Sequence, residues 1–269
     1  MDDKLLFVQF LHPGKEHEPD SDLVKLWNKK PHPHKRKFLK EAGKYIADGR
    51  VVEGEMLFWG EWEPESTLER KIDDPISRGP RFIYEPYYVI PRSYNGLENT
   101  DPFVFGEQFH YTGCKQRAFG QLRHLLPGSV ILFGSCEAQA FVLDTVFVVG
   151  DQWIDHTKSL YRRVLKARIS QEYQEVTIGP WYQEPSAESK SCDSADSEGT
   201  WRLYFGVTYD KPLRGMYSFF PCKPYDARSK GFARPEIKLQ EIKPKMAMGV
   251  KYSEQSSLED MKMLWDKIV

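Results

Sequence analysis

A single aspartate interrupts the most apolar run of this chain, which extends from Phe141 to Val149. Side chains at odd and at even positions of the run are mostly apolar, and this pattern is typical of a central strand that is covered on both faces. An ionised carboxylate in such a strand is costly unless hydrogen-bond donors or a cation surround it. Asp144 is therefore expected to anchor a buried polar network or a ligand site.

The composition of the 269-residue chain bounds its class. Charged residues make up 29% and hydrophobic residues 40%, with a formal net charge of −1. This is a globular composition without an overall basic field that would attract nucleic acid or membrane. The chain has no apolar stretch of about 18 residues and no signal peptide, which favours a cytoplasmic location. Its length allows two domains, but we expect a single α+β domain over residues 1–269.

The apolar run is also half of a predicted hairpin. Ser129–Phe133 is a short β-branched and aromatic run, and Ala140–Val149 follows it after a turn that begins at Gly134-Ser135-Cys136. Two such runs separated by few residues favour antiparallel pairing. The side chains expected in the core are those of Leu132, Leu143 and Phe147.

Hydrophobic periodicity predicts the remaining elements. The predicted strands are Leu5–Leu11, Glu55–Trp62, Arg81–Val89, Trp201–Tyr209 and Gly215–Phe220. The predicted helices are Lys35–Ala47, Gln116–Leu126, His156–Ile169 and about 258–268, the last with Ser257 as its N-cap. Residues 185–199 are poor in apolar side chains and are expected to form a mobile surface loop. These elements indicate an α+β fold with a bent or barrel-like mixed sheet, peripheral helices and long loops.

The sequence Trp59-Gly60-Glu61-Trp62 combines aromatic rings with a carboxylate in one predicted strand. Strand alternation places Trp59 and Glu61 on one face and Trp62 on the other. A carboxylate that accepts hydrogen bonds, beside indoles that stack, suits a pocket for an aromatic ligand with amino groups. The same residues also suit a strand end packed under a loop, and both interpretations stay open.

Histidines near a carboxylate follow the first predicted strand. His12 and His17 flank Glu16 at loop spacing, which suits proton transfer or metal binding but equally an exposed polar turn. The chain has no zinc signature, dinucleotide fingerprint or phosphate-binding glycine loop, so neither a metal nor a cofactor is expected. The four cysteines form no CxxC pair. Free thiols are therefore expected, with a disulfide or a zinc site as the alternative.

A second group of candidates lies in the irregular stretch between Pro91 and Gly113. Asp101 and Phe103 precede His110 there. A long, non-repetitive loop rich in Phe, Asp and His is typical of a loop that contacts substrate. Asp before Pro also favours a simple turn.

The segments Pro127–Ser135 and Phe141–Val149 resemble the hairpin of PUA-like domains, the superfamily that includes the ASCH, EVE and YTH families. The chain differs from the usual pattern at Ser129, where the family has an acidic residue. The resemblance implies a barrel-like sheet. In EVE- and YTH-like members aromatic side chains cage a modified base, and the resemblance implies that part for Trp59 and Trp62.

Together these features predict recognition of a nucleotide or nucleobase, modified bases included. The expected ligand-binding residues are Trp59, Glu61, Trp62, Asp101 and Phe103, with Asp144 nearby. Near-neutral net charge favours a small ligand or a short single strand over a long duplex, and no membrane partner is expected. One alternative is an enzyme acting on nucleotides or nucleic acid, with acid–base candidates His12, His17, His110 and Asp144. The other is a scaffold without a small-molecule site.

Overall fold

The computed structural model describes residues 2–12, 14–19, 36–64, 66–87, 100–105, 108–157, 169–179, 200–243 and 249–269. Within them the chain has the predicted α+β class, built on two mixed sheets that do not close into a barrel. The predicted loop 185–199 and most of the predicted helix His156–Ile169 lie outside these residues. The prediction of a single domain stays a prediction.

The strands and helices of the described residues are as follows in chain order. The strands are β1 (Leu6–His12), β2 (Arg36–Ala47), β3 (Arg50–Glu61), β4 (Ser66–Lys71), β5 (Phe82–Pro86), β6 (His110–Tyr111), β7 (Val130–Glu137), β8 (Ala140–His156), β9 (Trp201–Gly206), β10 (Cys222–Pro224) and β11 (Val250–Glu254). The helices are α1 (Gln171–Tyr173), which continues as a π-helix over Gln174–Ile178, and α2 (Leu258–Trp265).

Each sheet contains one parallel pair of strands. The six-stranded sheet has the order β11-β1-β7-β8-β9-β6, and β1 runs parallel to β7. The five-stranded sheet has the order β10-β3-β2-β5-β4, and β2 runs parallel to β5. Both faces of the five-stranded sheet are covered, because separate apolar clusters include Phe58 on one face and Trp59 on the other. No helix in the described ranges is long and apolar enough to cross a membrane.

The predicted hairpin is confirmed, and its turn lies further along the chain than expected. β7 and β8 pair antiparallel, and Leu132, Leu143 and Phe147 are buried. β7 continues to Glu137, and the turn is formed by Ala138 and Gln139, which both have positive φ. Positive φ at both central residues matches the twist of the flanking strands, which is why a tight turn forms there without glycine.

A bulge in this hairpin sets the position of Asp144. Phe133 pairs with Thr145 and Gly134 pairs with Leu143, so Asp144 is the extra residue on β8. A β-carbon at Gly134 would come within 2.4 Å of the Val142 carbonyl oxygen. The bulge therefore depends on glycine at this position, and it redirects the side chain of the residue opposite.

The helix predicted for Lys35–Ala47 is wrong, because Arg36–Ala47 forms β2. Phe38, Leu39, Tyr45 and Ile46 fit one face of a helix in sequence, but β2 pairs with β3 from Arg36↔Glu61 to Ala47↔Arg50. Pairing with β3 along the full length of the strand overrides a weak helical pattern that contains glycine.

Other elements are confirmed only in part. The Gln116–Leu126 helix is wrong beyond a single 3₁₀ turn at Gly120–Arg123, since the Gln116 side chain forms two hydrogen bonds with the Arg202 backbone. The Gly215–Phe220 strand is reduced to isolated bridges. The predicted strands near β1, β3, β5 and β9 are present with shifted bounds, whereas β4, β6, β10 and β11 were not predicted. The Ser257 cap of α2 is confirmed by its hydrogen bond from Asp260 N.

Candidate functional site

The strongest concentration of buried charge lies where the five-stranded sheet meets β8. We define the buried polar cluster as Arg36, Trp59, Glu61, Asp144 and Arg234. All five side chains are buried. Arg36, Trp59 and Glu61 belong to β2 and β3, Asp144 to the bulge of β8, and Arg234 to the segment between β10 and β11. The cluster therefore joins both sheets.

Asp144 faces the cation Arg234, as expected for a carboxylate in an apolar strand. Arg234 Nη1 donates to Asp144 Oδ1 at 3.1 Å and to Ser135 Oγ at 2.8 Å. Arg234 Nη2 donates to Glu137 Oε2 at 2.7 Å. Burial raises the pKa of Asp144 to about 6, although Arg234 and Arg36 act in the opposite direction. The carboxylate is thus held by Arg234 and stabilised electrostatically by Arg36, but its pKa is still close to neutral pH.

The second ion pair of the cluster joins β2 to β3. Arg36 and Glu61 are cross-strand partners, and Arg36 Nη1 lies 2.5 Å from Glu61 Oε2. Burial lowers the pKa of Arg36, but the attraction of Glu61, Asp144 and Glu63 outweighs it, so the net shift is upward. Arg36 therefore stays charged in a site that water does not reach.

The two tryptophans do not form an aromatic cage. Trp59 is 2% exposed and lies under the Arg234 guanidinium, 4.0 Å from the ring centroid, with Phe38 at its edge. Trp62 is 0% exposed and packs on Phe105. Neither indole reaches solvent, because alternation points the two rings to opposite faces of a sheet that is covered on both sides.

Asp101 and Cys114 lie within electrostatic range of the cluster. Asp101 accepts hydrogen bonds from Thr112 N at 3.0 Å and from Cys114 N at 3.1 Å. Burial raises the pKa of Asp101 well above its usual range, and Glu61 adds to this shift while Arg36 opposes it. His12 Nε2 lies 3.8 Å from Cys114 Sγ. Burial raises the pKa of the Cys114 thiol well above its usual range, so this Cys–His contact lacks the thiolate that nucleophilic catalysis needs.

The remaining predicted residues lie elsewhere. His110 stacks on Tyr173 with centroids 4.8 Å apart, and burial lowers its pKa to about 4. Phe103 packs against the same tyrosine. His17 is half-buried, and its backbone N–H donates to the Arg36 carbonyl oxygen. The structure thus brings Glu61, Asp101 and Asp144 together, whereas His110 and Phe103 are part of an aromatic core.

The two arginines of the cluster were not identified from sequence. Arg36 lies in a basic stretch at the start of the predicted helix Lys35–Ala47, and Arg234 lies in a stretch without strand or helix pattern. The only usable signal was indirect, since a buried carboxylate requires a cation. Composition does not reveal which of the chain's many cations fills that role.

Apart from Arg36 Nη1, which is ion-paired with Glu61, four polar atoms of the cluster have no hydrogen-bond partner among the described residues. Three are donors, namely Arg36 Nη2, Trp59 Nε1 and Arg234 Nε, and the fourth is the acceptor Asp144 Oδ2. More than nine in ten buried polar groups in proteins are satisfied. Four exceptions in one cluster are therefore unusual, and they make this cluster the candidate site. In the described part of the chain no three His, Cys, Asp or Glu side chains are arranged to hold a metal ion.

Comparison of the chain with protein-family models, with curated proteins and with solved structures gives no match. The resemblance to PUA-like domains stays a prediction, and the function has to be inferred from the geometry of the cluster.

Proposed function

We propose that the protein recognises a nucleobase or nucleotide through the buried polar cluster. The main support for this proposal is the set of four buried atoms on Arg36, Trp59, Asp144 and Arg234 that lack a hydrogen-bond partner among the described residues. Nucleobases present carbonyl oxygens and ring nitrogens that accept from N–H donors, next to N–H groups that donate to a carboxylate. Three donors beside one carboxylate oxygen fit the edge of a base that carries a carbonyl and an adjacent N–H.

The charge of the cluster supports a binding role over a purely structural one. Buried ion pairs contribute little net stability, and apolar side chains of similar size often serve a fold better. A scaffold would satisfy Asp144 with backbone donors alone, but here two arginines act on it and one carboxylate oxygen is left without a partner. Unsatisfied donors and acceptors are costly in a fold, and a ligand that satisfies them gains that free energy on binding.

The roles within the cluster follow from its contacts. Arg234 stacks on Trp59 and holds Asp144, so it fixes the donor and the acceptor relative to each other. Glu61 positions Arg36. Because the described side chains around the cluster are buried, a ligand enters only after local opening, and we expect association well below about 10⁵ M⁻¹s⁻¹.

The catalytic alternative has less support. A general base for reaction near neutral pH needs a pKa near the working pH and reach to the substrate. His110 has its pKa lowered to about 4 and stacks inside an aromatic core, and the Cys114 thiol stays protonated. Recognition requires none of these groups to transfer a proton.

The test is calorimetric titration with a panel of nucleobases, nucleosides and nucleotides that includes modified bases. Trp59→Phe removes Nε1 but keeps a ring under Arg234, and we expect it to weaken binding about two- to tenfold. The matched control is Trp153→Phe, since Trp153 is 37% exposed on β8 and outside the cluster. Absence of saturable binding at millimolar concentration across the panel would refute the proposal, and so would equal losses in both variants.

A further inference from the structure

A second concave region lies away from the buried polar cluster. A cleft of about 300 Å³ lies between β2–β3 on one side and residues 208–222 on the other, and no cluster residue lines it. We call it the aromatic cleft. Its size is at the lower end of the range of small-molecule sites. Its aromatic lining consists of Tyr45, Phe109, Tyr209, Tyr217, Phe219 and Phe220.

One wall of the aromatic cleft is firmly attached to the core. The Trp265 ring packs edge-on against Tyr217 at 5.0 Å, and Trp265 Nε1 donates to the Tyr217 carbonyl oxygen at 3.1 Å. Ser218 Oγ accepts from Val148 N at 2.9 Å and donates to the Val148 carbonyl oxygen. This wall is therefore preorganised, which lowers the entropy lost when a ligand binds.

The other wall is the outer part of the β2–β3 hairpin. Among the described strands, β5 pairs with β2 only at Phe38 and Leu39, and β10 pairs with β3 only from Met56 to Phe58. Residues 41–54, which we call the hairpin arm, have no further strand partner in the described ranges. Tyr209 Oη donates to the Gly49 carbonyl oxygen at 3.1 Å, which connects the tip of the hairpin arm to the opposite wall.

Charges of opposite sign line the two walls. Lys44 lies on the hairpin arm and Asp210 on the opposite wall, next to Tyr209, and both side chains are exposed. An ammonium group is attracted by Asp210 and by the faces of tyrosine rings, and a carboxylate is attracted by Lys44. Aromatic rings between these charges favour a flat apolar body.

We propose that the aromatic cleft binds a small aromatic zwitterion of the α-amino acid class. Its ring lies among the tyrosines and phenylalanines, its ammonium faces Asp210, and its carboxylate faces Lys44. The site is independent of the function proposed for the buried polar cluster. The hydrogen bond from Tyr209 to Gly49 keeps the hairpin arm next to the opposite wall.

The experiment is calorimetric titration of the intact chain with four matched probes. L-Tryptophan carries the ring and both charges, tryptamine lacks the carboxylate, indole-3-propionate lacks the ammonium, and norleucine lacks the ring. We expect saturable binding of L-tryptophan with a Kd at or below about 1 mM, and binding of each other probe at least about fivefold weaker. No saturable binding of L-tryptophan, or equally tight binding of norleucine, would overturn the proposal.

Charge variants test the two polar contacts separately. Asp210→Asn should weaken L-tryptophan but not indole-3-propionate, and Lys44→Gln should weaken L-tryptophan but not tryptamine. Tyr209→Ala should weaken L-tryptophan by about tenfold without unfolding the chain, because Tyr209 is exposed. Tyr252→Ala is the matched control, since Tyr252 is 46% exposed on β11, outside the cleft. Equal effects of both charge variants on all probes, or of both tyrosine variants on L-tryptophan, would contradict the assignment.

Discussion

The two ends of the β2–β3 hairpin share one antiparallel pairing but differ in the burial of their side chains. At the inner end Arg36 pairs with Glu61 and Phe38 pairs with Trp59, and all four side chains are buried. At the outer end Arg50 pairs with Ala47, and most side chains of the hairpin arm reach solvent. The same pair of strands therefore contributes to the buried polar cluster at one end and to a wall of the aromatic cleft at the other.

The difference shows that the surroundings of a strand, rather than its own sequence pattern, decide the role of its polar residues. A charge at the inner end is desolvated, so it needs a partner and its removal leaves that partner unpaired. A charge at the outer end is screened by water and contributes little. The predictions below test this contrast, beginning with the largest expected effect.

Loss of one arginine at each end should separate the two environments most clearly. Arg36→Ala leaves Glu61 buried without its cation, and we expect it to lower the free energy of unfolding by about 3–5 kcal/mol. Arg50→Ala, the matched change on the exposed hairpin arm, should alter it by less than about 0.5 kcal/mol. Urea unfolding followed by circular dichroism measures both. Similar losses in the two variants would mean that the inner end is not desolvated as described.

The pH dependence of stability should carry a contribution from Asp144. Its pKa is raised to about 6 in the fold, above an unfolded value of about 3.9, so between those values the folded state binds more protons. Stability from this group is therefore lost as pH rises from about 4 to about 6, by about 2–3 kcal/mol in total. His110 and His156, whose pKa values are lowered to about 4, act in the opposite direction.

Because these contributions oppose each other, the measurement is a difference. The free energy of unfolding of the wild type minus that of Asp144→Asn should fall across the pH range from about 4 to about 6. Asp48→Asn, at the tip of the hairpin arm, provides the control for loss of an exposed carboxylate. A flat difference for Asp144→Asn would show that the carboxyl group is not desolvated in the fold.

The sequence predicted those parts of the fold that depend on neighbouring residues. The β7–β8 hairpin joins two adjacent apolar runs, and α2 has its cap and its apolar face within a dozen residues, so both were visible locally. β2 was assigned to a helix because its apolar spacing fits a helical face, although its main partner β3 begins at Arg50, directly after a tight turn. The periodicity of one segment does not reveal which strand it pairs with, even when that strand follows directly.

The candidate site was predicted in the same uneven way. Asp144 was identified because an acidic side chain in an apolar strand requires an explanation, and Glu61 because it lies between two tryptophans in sequence. Arg234 was missed, because it lies ninety residues after Asp144 in a loop and nothing near it in sequence marks it as buried. Alternation correctly assigned Trp59 and Trp62 to opposite faces, but one strand alone could not reveal that a second layer covers each face.

Glu61→Gln should lower the free energy of unfolding by an intermediate amount, and it should also weaken ligand binding. The amide keeps the shape of Glu61 but removes the charge that faces Arg36 at 2.5 Å. We expect a loss of about 2 kcal/mol in the free energy of unfolding and weaker binding of any nucleobase that binds the wild type. Glu53→Gln on the hairpin arm is the matched exposed change. Unchanged stability in Glu61→Gln would show that the Arg36–Glu61 pair is not a desolvated ion pair.

The smallest effect is expected at the connection between the hairpin arm and the opposite wall. Tyr209→Phe removes the hydroxyl that donates to the Gly49 carbonyl oxygen but keeps the ring, so the free energy of unfolding should change by less than about 1 kcal/mol. Local opening of the hairpin arm should nevertheless become more frequent, because in the described ranges its strands pair only with each other. Hydrogen exchange followed by mass spectrometry should show faster exchange in peptides covering residues 45–52 and unchanged exchange in β7 and β8. Unchanged exchange in the hairpin arm would show that the hydrogen bond does not restrain it. Faster exchange at both ends of the β2–β3 hairpin would show that the buried inner end opens together with the exposed outer end.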